Sequence, residues 1–183
     1  MLSPVKPLSA EAFDQFVQLP ENAEKLYEYI GGEVVEVPSN PFASKISIII
    51  ASALFQFVAE RQLGHVTGEA GGYSVSGERY APDVAFLSKV RQEMLATEGY
   101  NPTPPDLAVE VDFPSTYQSQ RQLRIKIANY LAAGTEVWLI LPEARQAEVY
   151  VPNTPVRRLS ENDTLEGRGT LAGFSLPVKR LFA

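Results

Sequence analysis

The chain reads as one α/β domain over residues 1–183, with a mixed central β-sheet and helices over its faces. Three observations predict this class. Short runs rich in Val, Ile, Tyr and Phe alternate with two longer segments of helical periodicity. Gly and Pro clusters separate them. At 183 residues and 45% hydrophobic, the chain can bury one sizeable core but not two comfortable ones.

The elements follow in order. Ser9 can cap a short helix, AEAFDQFVQL, that Pro20 ends. In KLYEYIGGEVVEVP, Gly31-Gly32 is a two-residue turn signal between strand-forming runs, hence a β-hairpin. After the breaker PSNP, residues 42–63 read as a helix ended by Gly64. HVTGEAGGYSVSG suits a strand made irregular at Gly71-Gly72, and APDVAFL a second strand close behind it. A short helix over 90–96 and the loop NPTPPD lead into the strand LAVEVDF. Residues 120–133 form an amphipathic helix stopped by Gly134, followed by the strands EVWLILP and AEVYVP and a tail of short strands and turns.

Composition removes several kinds of chemistry. With no cysteine, disulfides, thiolate zinc, iron–sulfur clusters and Cys nucleophiles are excluded, and a cytoplasmic address is expected. The N-terminus lacks the pattern of a signal peptide. The most apolar run, residues 46–59, stops at Glu60-Arg61, short of the roughly 20 residues that span a bilayer. A buried core helix is therefore expected, and no membrane partner. His65, the single histidine, rules out His-rich metal sites, and GxSxG, GxGxxG and Walker A spacings are all missing.

A net charge of −6 and a pI of about 4.9 give no general attraction to polyanions. Nucleic-acid contact would need bound cations or a local patch. Candidate patches are Arg121 with Arg124 and Lys126, Arg157-Arg158 and Lys179-Arg180; solvated surface is the alternative for each.

The feature that calls for explanation is acid in the most strand-like segments. Alternation sets Asp83 on one face with Ala85 and Leu87, and Glu110 and Asp112 on one face with Ala108. An unpaired ionised carboxylate buried there would cost several kcal/mol. A cation, a hydrogen-bond network or a metal would offset it, and convergent carboxylates suit a hard cation such as Mg²⁺. Alternatively the acids lie at strand ends in water. In the helix RQLRIKIANYLAAG, Leu123, Ile127, Tyr130 and Leu131 form a core stripe with Lys126 at its edge. Its ammonium either reaches the carboxylates or snorkels to solvent.

YEYIGGEVVEVPSNP, YAPDVAF, PDLAVEV, KIANYLAAGTEVWLILP and LAGFSLPV, in that order, resemble the Uma2-like family. Its members are classed as candidate endonucleases of the restriction-endonuclease-like, PD-(D/E)XK superfamily. The resemblance covers nearly the whole chain and implies a restriction-endonuclease-like core with an added N-terminal helix and hairpin. It implies that Asp83 and Glu110 hold Mg²⁺, or Mn²⁺, with the carbonyl of Val111 as a third ligand. Lys126, four residues before Tyr130, would orient the attacking water or steady the phosphate. Glu33 matches a family acid that could reach the same cluster, with an exposed hairpin position as the alternative. Asp112 stands where the superfamily motif has lysine, and Ser44-Lys45 where many members carry histidine. The implied protein is a metal-dependent endonuclease that hydrolyses DNA by water attack, acting as a homodimer. The competing expectation is a catalytically silent member that binds a protein partner or itself; a small-molecule hydrolase using the same acids is a third.

Overall fold

The computed structural model describes residues 8–22, 24–37, 40–113 and 116–183. The first seven residues, searched above for a leader, and the breaker at Pro38-Ser39 lie outside them. Helix α1 (Ala10–Val17) is capped by Ser9, whose hydroxyl accepts from the Ala12 N–H, and Pro20 opens a single 3₁₀ turn. Strands β1 (Tyr27–Ile30) and β2 (Glu33–Glu36) form the expected hairpin. Its turn puts Gly31 at φ 58° and Gly32 at φ 85°, left-handed angles that glycine adopts without steric penalty.

Helix α2 (Pro41–Arg61) is capped by Asn40, which accepts from the N–H groups of Phe42 and Ala43. It ends on Gln62 in the left-handed region at φ 53°, not on Gly64. Gly64 instead opens β3 (Gly64–Gly68), where a Cβ would lie 2.2 Å from the Leu87 carbonyl oxygen. The stretch after it is two strands rather than one irregular strand. A turn closed by Gly71 N–H on the Gly68 carbonyl separates β3 from β4 (Tyr73–Val75). Strand β4 pairs with β5 (Glu78–Tyr80), and β5 with β1, giving a four-stranded sheet in the order β2-β1-β5-β4.

The central sheet continues through β6 (Val84–Ser88), β7 (Leu107–Val111), β8 (Glu136–Leu141), β9 (Gln146–Tyr150) and β10 (Arg157–Leu159). Its order is β10-β9-β8-β7-β6-β3. Among the described strands of this sheet only β7 and β8 pair in parallel, and helix α3 (Tyr117–Ala132) lies in their crossover. Thr116 and Ser119 build a capping box that starts α3 three residues earlier than its periodicity suggested. A ladder of β11 (Thr164–Glu166) with β12 (Ser175–Pro177) and a 3₁₀ segment close the chain. The helix expected over 90–96 is absent. Ser88 ends the strand in a turn, and the Arg91 and Gln92 side chains anchor that loop on the Pro104 and Pro105 carbonyls and on Asn101.

The sheet buries both faces. On one, Val84, Phe86, Val109, Trp138 and Ile140 meet α2 and the C-terminal segments. On the other, Ala85, Leu87, Ala108 and Leu139 lie beneath α3 and the smaller sheet. Residues Ile46, Ile50, Leu54 and Val58 seat α2 on the sheet, each burial favouring the fold by about 1.5–3 kcal/mol. Yet α2 is not the fully buried helix the sequence suggested. Ile48 and Phe55 on its outer side are each 62% exposed, and by length and composition alone the helix could cross a membrane.

Candidate active site

The alternation along β6 and β7 delivers the acids to the α3 side. Asp83 immediately precedes β6, and Glu110 sits inside β7 with 8% exposure. Lys126 reaches inward from α3 and is 6% exposed, so its ammonium does not snorkel to solvent. Its Nζ donates to Glu110 Oε2 and to Glu28 Oε1, both at 2.8 Å. Glu28, from β1 and 5% exposed, also accepts the Ala81 N–H at 2.8 Å. One lysine thus ties the small sheet to the central one.

The remaining contacts orient this cluster. Tyr130 OH donates to Glu110 Oε1 at 3.2 Å, and its ring packs edge-on against Tyr80, centroids 5.2 Å apart. Tyr80 in turn is fixed by Glu78 and by Asn129, whose amide donates to the phenol oxygen at 2.7 Å. Asp83 Oδ2 accepts the Val111 N–H at 2.7 Å, while Oδ1 has no hydrogen-bond partner among the described residues. Asp112 Oδ2 accepts from Gln120 at 3.1 Å. Asp83, Glu110, Val111, Asp112, Glu28 and Lys126 all line one cleft of about 410 Å³.

Three carboxylates, Glu28, Asp83 and Glu110, face a single ammonium. Burial, reinforced by Glu69 and Glu28 and opposed by the Val111 N–H and Lys126, pushes the Asp83 carboxyl up to about 6. Burial also raises Glu110, against the pull of Lys126. For Lys126 burial works against the charge, but the fields of Glu110 and Glu28 outweigh it and the ammonium stays protonated. The pocket is short of positive charge. Among the described residues no three acids converge into a ready-made metal cage. A cation here would rest on Asp83, Glu110 and the Val111 carbonyl, hard oxygen donors of the number that Mg²⁺ accepts while keeping water or substrate oxygens.

Glu33 is not part of this cluster. It stands exposed on β2, accepting from the exposed Gln118 at 2.9 Å and from Gln122, half-buried at the cleft's edge, at 3.4 Å. Lys45 contacts the Ala183 carbonyl oxygen, away from the cleft, whereas Asn40 and Ala43 from the same helix start line it. Sequence reasoning missed Glu28. Its signal was alternation in YEYI, which sets Glu28 on the same side of the strand as Ile30, 3% exposed.

The profile of the Uma2 family, described as "Putative restriction endonuclease", matches residues 13–179. A solved structure described as a "putative nuclease belonging to DUF820" from Anabaena variabilis ATCC 29413 superposes with a TM-score of 0.79 at 22% identity. The match covers 96% of this chain and 98% of that one. No match is found among curated proteins.

Proposed function

Since this chain belongs to the Uma2 family, whose description reads "Putative restriction endonuclease", we propose that it is a Mg²⁺-dependent endonuclease hydrolysing phosphodiester bonds of DNA. The observation that carries this reading is the charge imbalance in the cleft: three largely desolvated carboxylates share one lysine. Asp83, Glu110 and the Val111 carbonyl would hold the cation, which when bound supplies neutralisation of charge building on the phosphodiester. Lys126 has three N–H donors and spends two on Glu28 and Glu110. The third is available to a non-bridging phosphate oxygen or to the attacking water. Glu28 and Tyr130 hold the lysine and Glu110 in place, so little reorganisation is needed when substrate arrives. Water attacks phosphorus and the bond to the leaving oxygen breaks; the proton lost by water passes to solvent, and the leaving oxygen takes up a proton from solvent.

One observation favours a catalytically silent role instead. Both Glu110 oxygens already accept hydrogen bonds, from Lys126 and Tyr130, so the cluster is satisfied within the protein. Incubation of the purified chain with supercoiled plasmid and with labelled single strands, with Mg²⁺, Mn²⁺ or excess chelator, separates the two. Cation-dependent cleavage that disappears in Glu110→Gln supports the nuclease. Cleavage that is absent from the wild type, or identical in the variant, contradicts it.

A further inference from the structure

The lining of the cleft narrows the substrate further. Among the described residues Lys126 is the one basic side chain on it, and its ammonium is already held between Glu28 and Glu110. The arginines beside it in sequence, Arg121 and Arg124, line a hollow on the side of α3 turned away from Lys126. Neither Arg157-Arg158 nor Lys179-Arg180 lines the cleft. A duplex is held by many Lys and Arg contacts along its phosphate backbones, and this cleft offers it none of that kind. What the cleft offers around its acids is apolar: Ile30, Val35, Ala43, Phe113 and Leu123. On the nuclease reading of this site, on which the inference rests, we propose that the substrate is an unpaired strand. Its base enters the cleft and stacks on Phe113 while its phosphate meets the cation on Asp83 and Glu110.

Size and depth agree with this. The cleft of about 410 Å³ falls within the range of about 300–1,000 Å³ that encloses one small ligand, whereas a double helix lies in an open groove. Glu28 and Glu110 are recessed, 5% and 8% exposed, so a phosphate has to come in to them and brings its own sugar and base. A paired base would first have to leave its partner.

The base then needs a flat apolar face within one sugar's reach of the cation. Phe113 stands two residues beyond Val111, whose carbonyl would help to hold that cation, so the two Cα atoms lie within about 7 Å of each other. Phe113 is half-buried on the cleft, and its ring is backed by Phe42, centroids 6.2 Å apart. Phe42 itself is 42% exposed, so the aromatic pair stays open to solvent instead of closing into the core. Every base has a π-face, so such a platform selects for unpaired strands without selecting sequence.

The test is fluorescence anisotropy of labelled oligodeoxynucleotides with the full chain, with Ca²⁺ in place of Mg²⁺ to separate binding from turnover. Single strands are expected to bind at least 10-fold more tightly than a blunt duplex. Phe113→Leu keeps apolar packing on Phe42 and removes the flat face; it should weaken single-strand binding by about 5-fold or more with unchanged circular dichroism, while Phe113→Trp retains it. A strand of abasic sugars should bind the wild type as weakly as the normal strand binds Phe113→Leu, and the variant should weaken it no further. Duplex bound as tightly as single strand overturns the proposal. So does an abasic strand bound as well as a normal one, indifference to Phe113→Leu, or a wild type that binds neither form. Single strands bound through Phe113 but cut with neither Mg²⁺ nor Mn²⁺ support the recognition and overturn the nuclease reading alone. Cation-dependent cleavage of linear duplex as fast as of single strands does the reverse.

Discussion

Lys126 Nζ lies as close to Glu28 as to Glu110, 2.8 Å from each. Two strands from different sheets therefore place carboxylates on one buried ammonium. Replacing that lysine by methionine keeps the stem and deletes the charge, leaving two buried acids without a counter-ion. Loss of one partner from such a cluster costs about 3–5 kcal/mol. Urea unfolding at pH 7 should show this loss for Lys126→Met. A variant within about 0.5 kcal/mol of wild type would mean that the acids do not depend on the lysine.

Asp83 should make the protein less stable as pH rises. Its carboxyl titrates at about 6 in the folded chain against 3.8 when unperturbed, so between those values the folded state binds more protons than the unfolded one. This group's contribution is most favourable below pH 3.8 and declines until pH reaches about 6. The decline amounts to about 1–3 kcal/mol. Asp83→Asn keeps an acceptor for the Val111 N–H and removes the charge. It should therefore be more stable than wild type at pH 7, and the difference should vanish near pH 4. Stability of the variant below that of wild type at pH 7 would contradict the account.

How much of this was legible beforehand differs from residue to residue. The hairpin was readable because Gly31-Gly32 is local chemistry, and the side of the sheet that carries Asp83 and Glu110 was readable because strand alternation is obligatory. The separation of β3 from β4 was not, because only the pairing of β5 with β1, far earlier in the chain, takes the β4–β5 hairpin into another sheet. Periodicity put Lys126 at the rim of a stripe but could not say whether its ammonium met water or acid. That was decided by Glu28, 98 residues earlier in the chain. Glu33 drew attention by resemblance, while Glu28, five residues before it, makes the contact.

Glu33 supplies a control. Among the described residues it bonds only to the amides of Gln118 and Gln122, and unlike Gln122 it does not itself line the cleft. Glu33→Gln should leave stability within about 0.5 kcal/mol and Mg²⁺ affinity unchanged. A clear loss of cation affinity would show that the hairpin rearranges to bring Glu33 inward.

Glu28→Gln should behave differently from Glu33→Gln. The amide oxygen of glutamine can still accept from Ala81 and Lys126, so the fold should persist, but Lys126 then has Glu110 as its only charged partner. The ammonium should compete more strongly with a cation for Glu110, and Mg²⁺ binding should weaken. In a cycle with Lys126→Met the two effects should be coupled by at least a few-fold in affinity. Strict additivity would make Glu28 a bystander.

The most direct measurement is calorimetric titration of Mg²⁺ into wild type, Asp83→Asn, Glu110→Gln and Lys126→Ala at pH 7 and matched ionic strength. The account predicts a single site per chain that disappears when either acid is neutralised and is kept or tightened when the lysine is removed. Binding that survives in Asp83→Asn combined with Glu110→Gln would contradict the proposal that these two acids hold the cation.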